Sequence, residues 1–469
     1  MRPIIRILTA CLLGLCCEEA AAQSATAPTA TTQSATDPSP LQFAQAVRFA
    51  LDHAPPVTSA RSAVSSAEAQ KLAAIAAFLP TLSLTDQPEI FNPVIPSGSS
   101  VVGGVVIPNG HGYNANVASA NLSLNLFAGG KDVASYHASI KALSSASLGL
   151  TATLDTTLDQ LLTDFTAVCV DQITLSDQER IIAIDQDLVD LTTLRVQGKM
   201  DSQIEMIQAQ LQALQAKSQL SQTRQQRTTD LEKLYTDMGY PQTTRNAALQ
   251  EWIPEAPPVG PGDGAIEDDP FVSSARDAVL AAQEKVTAAR GEYYPTVALT
   301  FQYNYLGIDP SSMRRAFDGT HANNYTVGLG VTLPLLPFIN VNADIDAARA
   351  TVLSAQGQYQ GALVSVTNRV TDASVKLGDA QNSLDLATRA AELARRNLRL
   401  TQDKYAAHQA DLRDVDTAKV LSAQSEQSFS IASLNFRLAA WEQYRALHPK
   451  EFPATLLDAV AGLGSRVQP

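Results

Sequence analysis

A segment that ends at a proline occurs twice in this chain of 469 residues, and this repetition constrains the fold more than any other feature. Aligned without a gap, residues 55–84 and 270–299 share thirteen of thirty positions, including Pro80 and Pro295. Proline disfavours helix at the residue before it and cannot donate a hydrogen bond within a helix. Each copy is therefore predicted to be a helix that turns into a strand, and the fold to be two such units joined.

Alternating apolar and polar residues follow each proline stop. Leu122, Leu124 and Leu126 alternate with Asn and Ser in the first copy, and 297–305 and 325–335 alternate in the second. Strands that cross a bilayer show this pattern over about 9–11 residues. The strands of a soluble β-sandwich alternate too, so the pattern by itself leaves both possibilities open.

Two strands are predicted in each copy, separated by long loops rich in Gly, Pro, Ser and Asn. The weakest strand is the first, because Asp86 and Pro88 fit lipid badly. The predicted strands are 80–90, 115–127, 295–306 and 323–336, and the predicted loops are 90–111 and 307–322.

Long helices are predicted after each pair of strands. From Leu363 to Tyr405, apolar residues recur at spacings of three and four over six heptads, which is the seam of a coiled coil rather than a cofactor site. Each long helix would span on the order of 100 Å at 1.5 Å per residue. A shorter helix returns, and the helix before each proline stop would stack on it end to end. The long helices are predicted at 131–195 and 341–405, and the return helices at 203–238 and 412–447.

The turn after the first long helix carries a recognisable sequence. Gly198 is a candidate C-cap and is followed by Asp201. Ser202 and Glu205 have the spacing of a capping box that would open the return helix.

The N-terminus resembles an export signal. Two arginines precede an apolar run at 7–17, and small residues follow, which predicts a signal peptide at 1–22. A lipid anchor on Cys11 is the alternative. Only Cys169 of the four cysteines lies beyond this leader, which excludes an intramolecular disulfide framework. Residues 23–40 lack periodicity and are predicted to be flexible.

Composition argues against several classes of function. The net charge is -13 with no basic cluster, so a nucleic-acid groove is not expected. No Ser/His/Asp set, phosphate loop, CxxC or HExxH occurs, and the six histidines are scattered, so we expect no enzyme, cofactor or metal site. No run beyond the leader reaches the roughly 18 apolar residues of a membrane helix, so a bilayer-spanning part would consist of strands.

Four membrane strands cannot close a barrel. Open strand edges in lipid would leave backbone groups unpaired, and the smallest closed barrels have eight strands. The chain is therefore expected to oligomerise, with long helices continuing the barrel as a tube. The predicted fold class is mixed α and transmembrane β, built from a duplicated unit.

Over residues 41–447 the chain resembles the TolC-like outer membrane efflux proteins. The resemblance rests on the duplicated helix–proline–strand unit, on the segment Leu-Asn-Leu-Phe-Ala-Gly-Gly at 124–130 entering a long helix, and on Tyr405 with Asp414 beside a helical hairpin. It implies a homotrimer with a twelve-stranded barrel in the outer membrane of a Gram-negative-type bacterium and a periplasmic α-helical tunnel. It also implies a passive exit duct for a tripartite efflux or type I secretion system, working with a periplasmic adaptor and an inner-membrane pump.

The family closes its tunnel with an iris at the helix tips, formed by a Tyr, an Arg and Asp residues. Tyr405 and Asp414 match this pattern, whereas His408 replaces a Gly, Ala410 replaces the Arg and Thr417 replaces a second Asp.

Three further charged residues lie at the same tip. Asp411, Arg413 and Asp416 are candidate gate residues, with Arg413 a possible substitute for the missing cation. Plain helix capping is the alternative, because negative side chains are favourable near any helix N-terminus.

A periplasmic coiled-coil adaptor or scaffold without channel activity is the rival function. It predicts soluble material after lysis, whereas a channel needs detergent. The two repeats are predicted at 41–240 and 271–448, with a linker at 241–270 near the middle of the tunnel and a C-terminal tail at 449–469. The sequence does not identify the exported substrate.

Overall fold

The computed structural model describes residues 43–91, 99–102, 105–108, 113–198, 202–240, 254–257, 266–309, 312–318, 322–335 and 338–464. The predicted leader at 1–22, the predicted flexible segment at 23–40 and most of the 241–270 linker lie outside these ranges.

Helices dominate the described part of the chain, and two of them are very long, with 67 and 69 residues. Both return helices have 36 residues. The helices are α1 (Phe43–His53), α2 (Pro55–Ala76), α3 (Lys131–Gln197), α4 (Gln203–Met238), α5 (Pro270–Gly291), α6 (Met313–Asp318), α7 (Phe338–Ala406), α8 (Leu412–Leu447) and α9 (Phe452–Gly464), with a 3₁₀ turn at Ile266–Asp268.

A four-stranded antiparallel sheet continues one end of the helices. Its order is β1-β4-β5-β6, so β1 and β6 are its two edges. A separate hairpin pairs β2 with β3. The strands are β1 (Thr81–Phe91), β2 (Ser99–Val102), β3 (Val105–Pro108), β4 (Tyr113–Ala128), β5 (Thr296–Asp309) and β6 (Ala322–Thr332).

Strand register explains how β1 accommodates its two unfavourable residues. Tyr303 pairs with Tyr325 and, through Ala120, lies in the row of Leu84. Asp86 lies two residues further from the helices, in the row of Ala118 and Tyr305. Aromatic side chains border the apolar band of strands that cross a membrane, so in the expected membrane sheet Asp86 would lie at the border of that band rather than in its middle. Pro88 has no N–H to donate, and β1 is an edge strand of the sheet within one copy.

Five details of the sequence prediction differ from the structure. β6 ends at Thr332, because Pro334 cannot donate to a strand ladder. The first predicted loop contains the β2–β3 hairpin, and β5 extends into the second, which also contains α6. The predicted C-terminal tail contains α9, whose Phe452 is buried against Trp441 with ring centroids 6.0 Å apart.

The shorter helices stack end to end, as their lengths suggest. Tyr240, directly after α4, packs on Phe49 of α1 with ring centroids 4.3 Å apart, and α2 follows at once. Arg369 of α7 binds Asp269 at the start of α5. Two turns further along α7, Lys376 binds Glu442 near the end of α8. We call these stacked pairs the α2/α4 column and the α5/α8 column. Each column is similar in length to one long helix.

The columns and long helices lie side by side as a slab. α3 packs between the α2/α4 column and the α5/α8 column, and α7 packs on the far side of α5/α8. The slab thus has two edges, α2/α4 on one side and α7 on the other. In the part of the chain that the structure describes, no helix has both the length and the hydrophobicity to span a bilayer.

Glycines join the sheet to the helices. Gly129, with φ of 63°, is so close to α5 that an added Cβ would lie 2.1 Å from the carbonyl oxygen of Gly291. Next to this crossing, the Lys131 Nζ atom lies 2.6 Å from the Glu292 carboxylate. The Tyr293 hydroxyl donates to Asn342 of α7 at 2.6 Å. Three helices are therefore fastened together directly below the strands.

Candidate gate at the helix tips

Both helical hairpins end at the pole of the molecule opposite the sheet. The α3–α4 hairpin turns after Gly198, and the α7–α8 hairpin turns over 407–411. Asp201, a predicted tip residue, lies outside the described residues.

Two ion pairs cross between the hairpins. Arg195, in the last turn of α3, donates from Nη1 to both carboxylate oxygens of Asp411, at 2.9 and 3.2 Å. Arg413 of α8 donates from Nη1 to Oε1 of Glu205 in α4, at 3.4 Å. Each hairpin thus supplies one arginine and one carboxylate, and we call these contacts the crossed ion pairs. Sequence reasoning missed Arg195, whose only signal was a cation in the last turn of a predicted helix.

The pKa of Asp411 lies below its usual value. The hydrogen bond from Arg195 is the largest cause, and the backbone N–H of Leu412 adds to it. The Asp411 carboxylate therefore stays charged at a pH at which an unperturbed aspartate would already be protonated. Because the Asp411 side chain is about half exposed, the pair contributes no more than about 1 kcal/mol.

Asp414 closes a capping box with Asp411. Asp414 accepts the backbone N–H of Asp411 at 3.1 Å, while Asp411 accepts the N–H of Leu412 at 2.7 Å. Both carboxylates therefore fix the start of α8. Helix capping is the alternative to a gate role in the sequence analysis. Asp414 does cap α8 in this structure.

The capping box expected at the first tip is wrong. Ser202 is the N-cap of α4, but its side chain makes no capping hydrogen bond. The Glu205 carboxylate is instead bound by Arg413. A charged donor from the other hairpin is a stronger partner for this carboxylate than a backbone amide.

The other two predicted gate residues have different environments. Asp416 is 4 % exposed and accepts from Lys419 at 2.8 Å, one turn along the same helix. Tyr405 is 43 % exposed and takes no part in the crossed ion pairs.

His408 holds the turn at the end of α7. Its φ is 58°, in the left-handed region that favours glycine. Its N–H binds the carbonyl of Tyr405, and the N–H of Gln409 binds that of Lys404, which makes a Schellman motif. The left-handed backbone at His408 favours glycine. This is the position at which the resembled family has glycine.

A groove of about 350 Å³ lies behind the crossed ion pairs, between α3, α4 and α8. Asp185 forms part of its wall and accepts from Gln212 at 2.8 Å. Burial raises the pKa of Asp185, and this hydrogen bond partly offsets the shift. Arg413 and Asp416 also line the groove, so its polar wall continues to the tip.

A family comparison identifies the architecture. The model of the outer membrane efflux protein family matches residues 46–240 and 263–447, which is most of the chain. The chain belongs to the outer membrane efflux protein family. This family consists of channels rather than enzymes, in agreement with the sequence analysis.

Solved structures of outer membrane channels share the fold of this outer membrane efflux protein. The outer membrane protein VceC from Vibrio cholerae is 17 % identical with a TM-score of 0.71, over 86 % of this chain and 95 % of VceC. The Campylobacter jejuni CmeC outer membrane channel is 15 % identical with a TM-score of 0.73, over 89 % of each chain. The open state of the Neisseria gonorrhoeae MtrE channel is 18 % identical with a TM-score of 0.69, over 86 % and 88 %. No curated protein was matched by sequence alone.

Proposed function

We propose that three copies of this chain form an outer-membrane exit duct of a tripartite efflux or type I secretion system. Solutes would pass through it passively from the periplasm to the exterior. The observation that carries this proposal is that both the sheet and the helical slab end in unpartnered edges. Membership in the efflux protein family favours this function over that of a coiled-coil adaptor.

The sheet supports a trimer through its open edges. Among the described strands, β1 and β6 each pair with a single neighbour. Unpaired backbone groups are costly in lipid, so a membrane sheet must close. Three copies of four strands give a barrel of twelve, within the range of known membrane barrels.

The helical edges support the same assembly. On the outer side of α4, Ile204, Ile207, Leu211 and Leu214 are exposed at spacings of three and four. On the outer side of α7, Leu386, Leu393 and Leu400 are exposed at spacings of seven.

These two stripes lie at similar distances from the tips. Leu393 lies thirteen residues before the end of α7, and Leu211 lies eight residues after the start of α4. At 1.5 Å per residue both lie roughly 10 to 20 Å from the tips. The α7 edge of one copy would therefore pack on the α4 edge of the next as a coiled coil, and such head-to-tail contacts close into a ring.

The crossed ion pairs supply a gate in this proposal. Opening the tube would move one hairpin away from the other and break both pairs. Each is an exposed pair of small energy, so docking of a periplasmic adaptor and an inner-membrane pump would suffice to separate them. The duct itself needs no energy source.

Membrane fractionation and cross-linking test the proposal. The full chain should enter the outer-membrane fraction and be extracted only by detergent. A Leu214→Cys/Leu393→Cys variant should form disulfide-linked trimers, whereas either single variant should form none, because residues 214 and 393 lie at nearly the same distance from the tips. Cys169 is buried, so it offers no competing partner. Soluble material that runs as a monomer would overturn the proposal and favour the adaptor.

A further inference from the structure

The apolar face of the sheet ends in aromatic residues on the side away from the helices. Along β5, Phe301, Tyr303 and Tyr305 alternate with polar residues and lie on this face, and Tyr303 pairs with Tyr325 of β6. Aromatic side chains border the apolar band of strands that cross a membrane. In the expected membrane sheet, these tyrosines therefore mark the outer border of the band.

The short helix α6 lies on the same face, directly past this border. It packs against β4 and β5. The Tyr305 hydroxyl donates to the carbonyl oxygen of Phe317 in α6 at 3.4 Å. The next row of the face, Asn116 with Gly307, is buried, and so is Ala316 of α6. α6 is therefore held against the apolar side of the sheet at the level where the band ends.

The other side of α6 presents two arginines to solvent. The Arg314 side chain is 91 % exposed, and Arg315 is exposed as well. They are the only Lys or Arg residues in segments 80–128 and 295–336, which contain all six described strands. The bases of the sheet region are thus concentrated at its outer border.

Neither arginine is held by a strong acidic partner. Arg314 lies 3.9 Å from Asp318, and both side chains are so exposed that the pair contributes little. Arg315 makes no ion pair with another described residue. Asp309, a further acid of this loop, accepts the backbone N–H of Ser312 at 2.8 Å and so fixes the loop backbone. Both guanidinium groups are therefore available to an outside acceptor.

We propose that α6 binds the phosphate groups of lipids in the outer leaflet through Arg314 and Arg315. A guanidinium presents its N–H donors as a fork that matches two phosphate oxygens. Phe317, 44 % exposed on α6, adds an aromatic contact beside the arginines. The occupant is a lipid headgroup rather than a free ion, because the apolar rows below α6 would contact its acyl chains. The level of α6 in the bilayer rests on the proposed function.

Native mass spectrometry of the full-length, detergent-solubilised protein tests this contact. The probes are diphosphorylated lipid A and the same lipid without its phosphates. Wild type should bind the phosphorylated lipid about tenfold more tightly, and Arg314→Gln/Arg315→Gln should remove most of this preference. Arg180→Gln/Arg224→Gln is the matched control, because it removes two exposed arginines of the helical slab and should keep the preference.

Three results would overturn the proposal. Equal binding of both lipids by wild type would show that phosphate is not recognised, and an equal loss in both double variants would show a general charge effect. Competition by inorganic phosphate at constant ionic strength would identify a site for a free ion. A soluble monomer that keeps the lipid preference would instead leave the contact standing and overturn the proposed function.

Discussion

At the residue scale, the acids at the tip have partners that the sequence could not show. The residue types at 411, 414 and 416 suggested a charged gate, but Asp414 caps a helix and Asp416 is buried with Lys419. The pairing that joins the hairpins involves Arg195, which lies 216 residues from Asp411. No local pattern connects residues so far apart, so only the fold reveals the contact.

His408→Gly should stabilise the hairpin tip. A non-glycine residue in the left-handed region carries a strain of about 1 kcal/mol, which glycine removes. We expect a rise of about 1 °C in the midpoint of thermal unfolding, followed by far-UV circular dichroism. Gln409→Gly, one residue later, should bring no such gain, and an equal rise in both variants would contradict the strain argument.

Asp171→Asn should remove part of the pH dependence of stability. Burial, followed by the charge of Asp230 and a hydrogen bond with it, raises the pKa of Asp171 to about 6. The charged form therefore destabilises the folded state above about pH 6, and this penalty disappears as the pH falls toward the unfolded pKa.

The Asp171→Asn variant should thus melt above wild type at about pH 8 and with wild type at about pH 3, below the unfolded pKa. Asp187→Asn, an exposed acid of the same helix, is the control and should melt with wild type at both values. A gain that is the same at both pH values would show that the effect is not one of titration.

At the element scale, the two hairpins depend on contacts of unequal strength. Near the sheet, the glycine crossing and two short polar contacts fasten α3, α5 and α7 together. At the tips, two exposed ion pairs connect the hairpins. The tips are therefore the end at which the hairpins separate most easily.

Arg195→Ala should increase channel opening. Loss of an exposed ion pair changes an equilibrium by up to about fivefold in each protomer, so single-channel recordings in planar bilayers should show a higher open fraction. Arg224→Ala is the control, because it removes an ion pair of similar length, 3.0 Å to Glu179, that lies within one hairpin.

A charge reversal adds a second check on this contact. Arg195→Asp combined with Asp411→Arg should restore closure, although reversing the charges at the start of α8 also disturbs its cap. An open fraction that Arg195→Ala and Arg224→Ala raise equally would contradict a role for the crossed ion pairs.

The helices could be predicted from sequence because one strong signal, the periodic spacing of apolar residues, determines where they form. The return helices predicted at 203–238 and 412–447 correspond to Gln203–Met238 and Leu412–Leu447 in the structure. Short elements held by tertiary contacts escaped prediction, such as α9, which is anchored by Phe452 on Trp441. The seam predicted for α7 follows apolar residues that are spaced three and four positions apart. It therefore leaves out the exposed stripe of Leu393 and Leu400, whose members are seven positions apart.

At the scale of the whole molecule, the slab is incomplete by itself. Large apolar side chains remain exposed along α4 and α7, and Leu393 is 66 % exposed. Rows of exposed large apolar side chains of this kind favour the proposed contact between copies. The proposed ring would cover it.

Leu393→Glu should weaken the trimer. A charge placed in an apolar helix seam is costly to bury, so cross-linked or detergent-extracted protein should shift from trimer toward monomer. Gln381→Glu adds the same charge to an exposed position on another face of α7 and should leave the trimer intact. A trimer that survives Leu393→Glu would exclude this edge from the interface.

The glycine crossing has a mechanical consequence for the whole duct. Since Gly129 leaves no space for even a methyl group against α5, the strands and the helices directly below them must move as one piece. The opening at the sheet end would then keep a constant diameter while the hairpin tips at the opposite end move apart. Export through such a tube would be regulated from the periplasm alone.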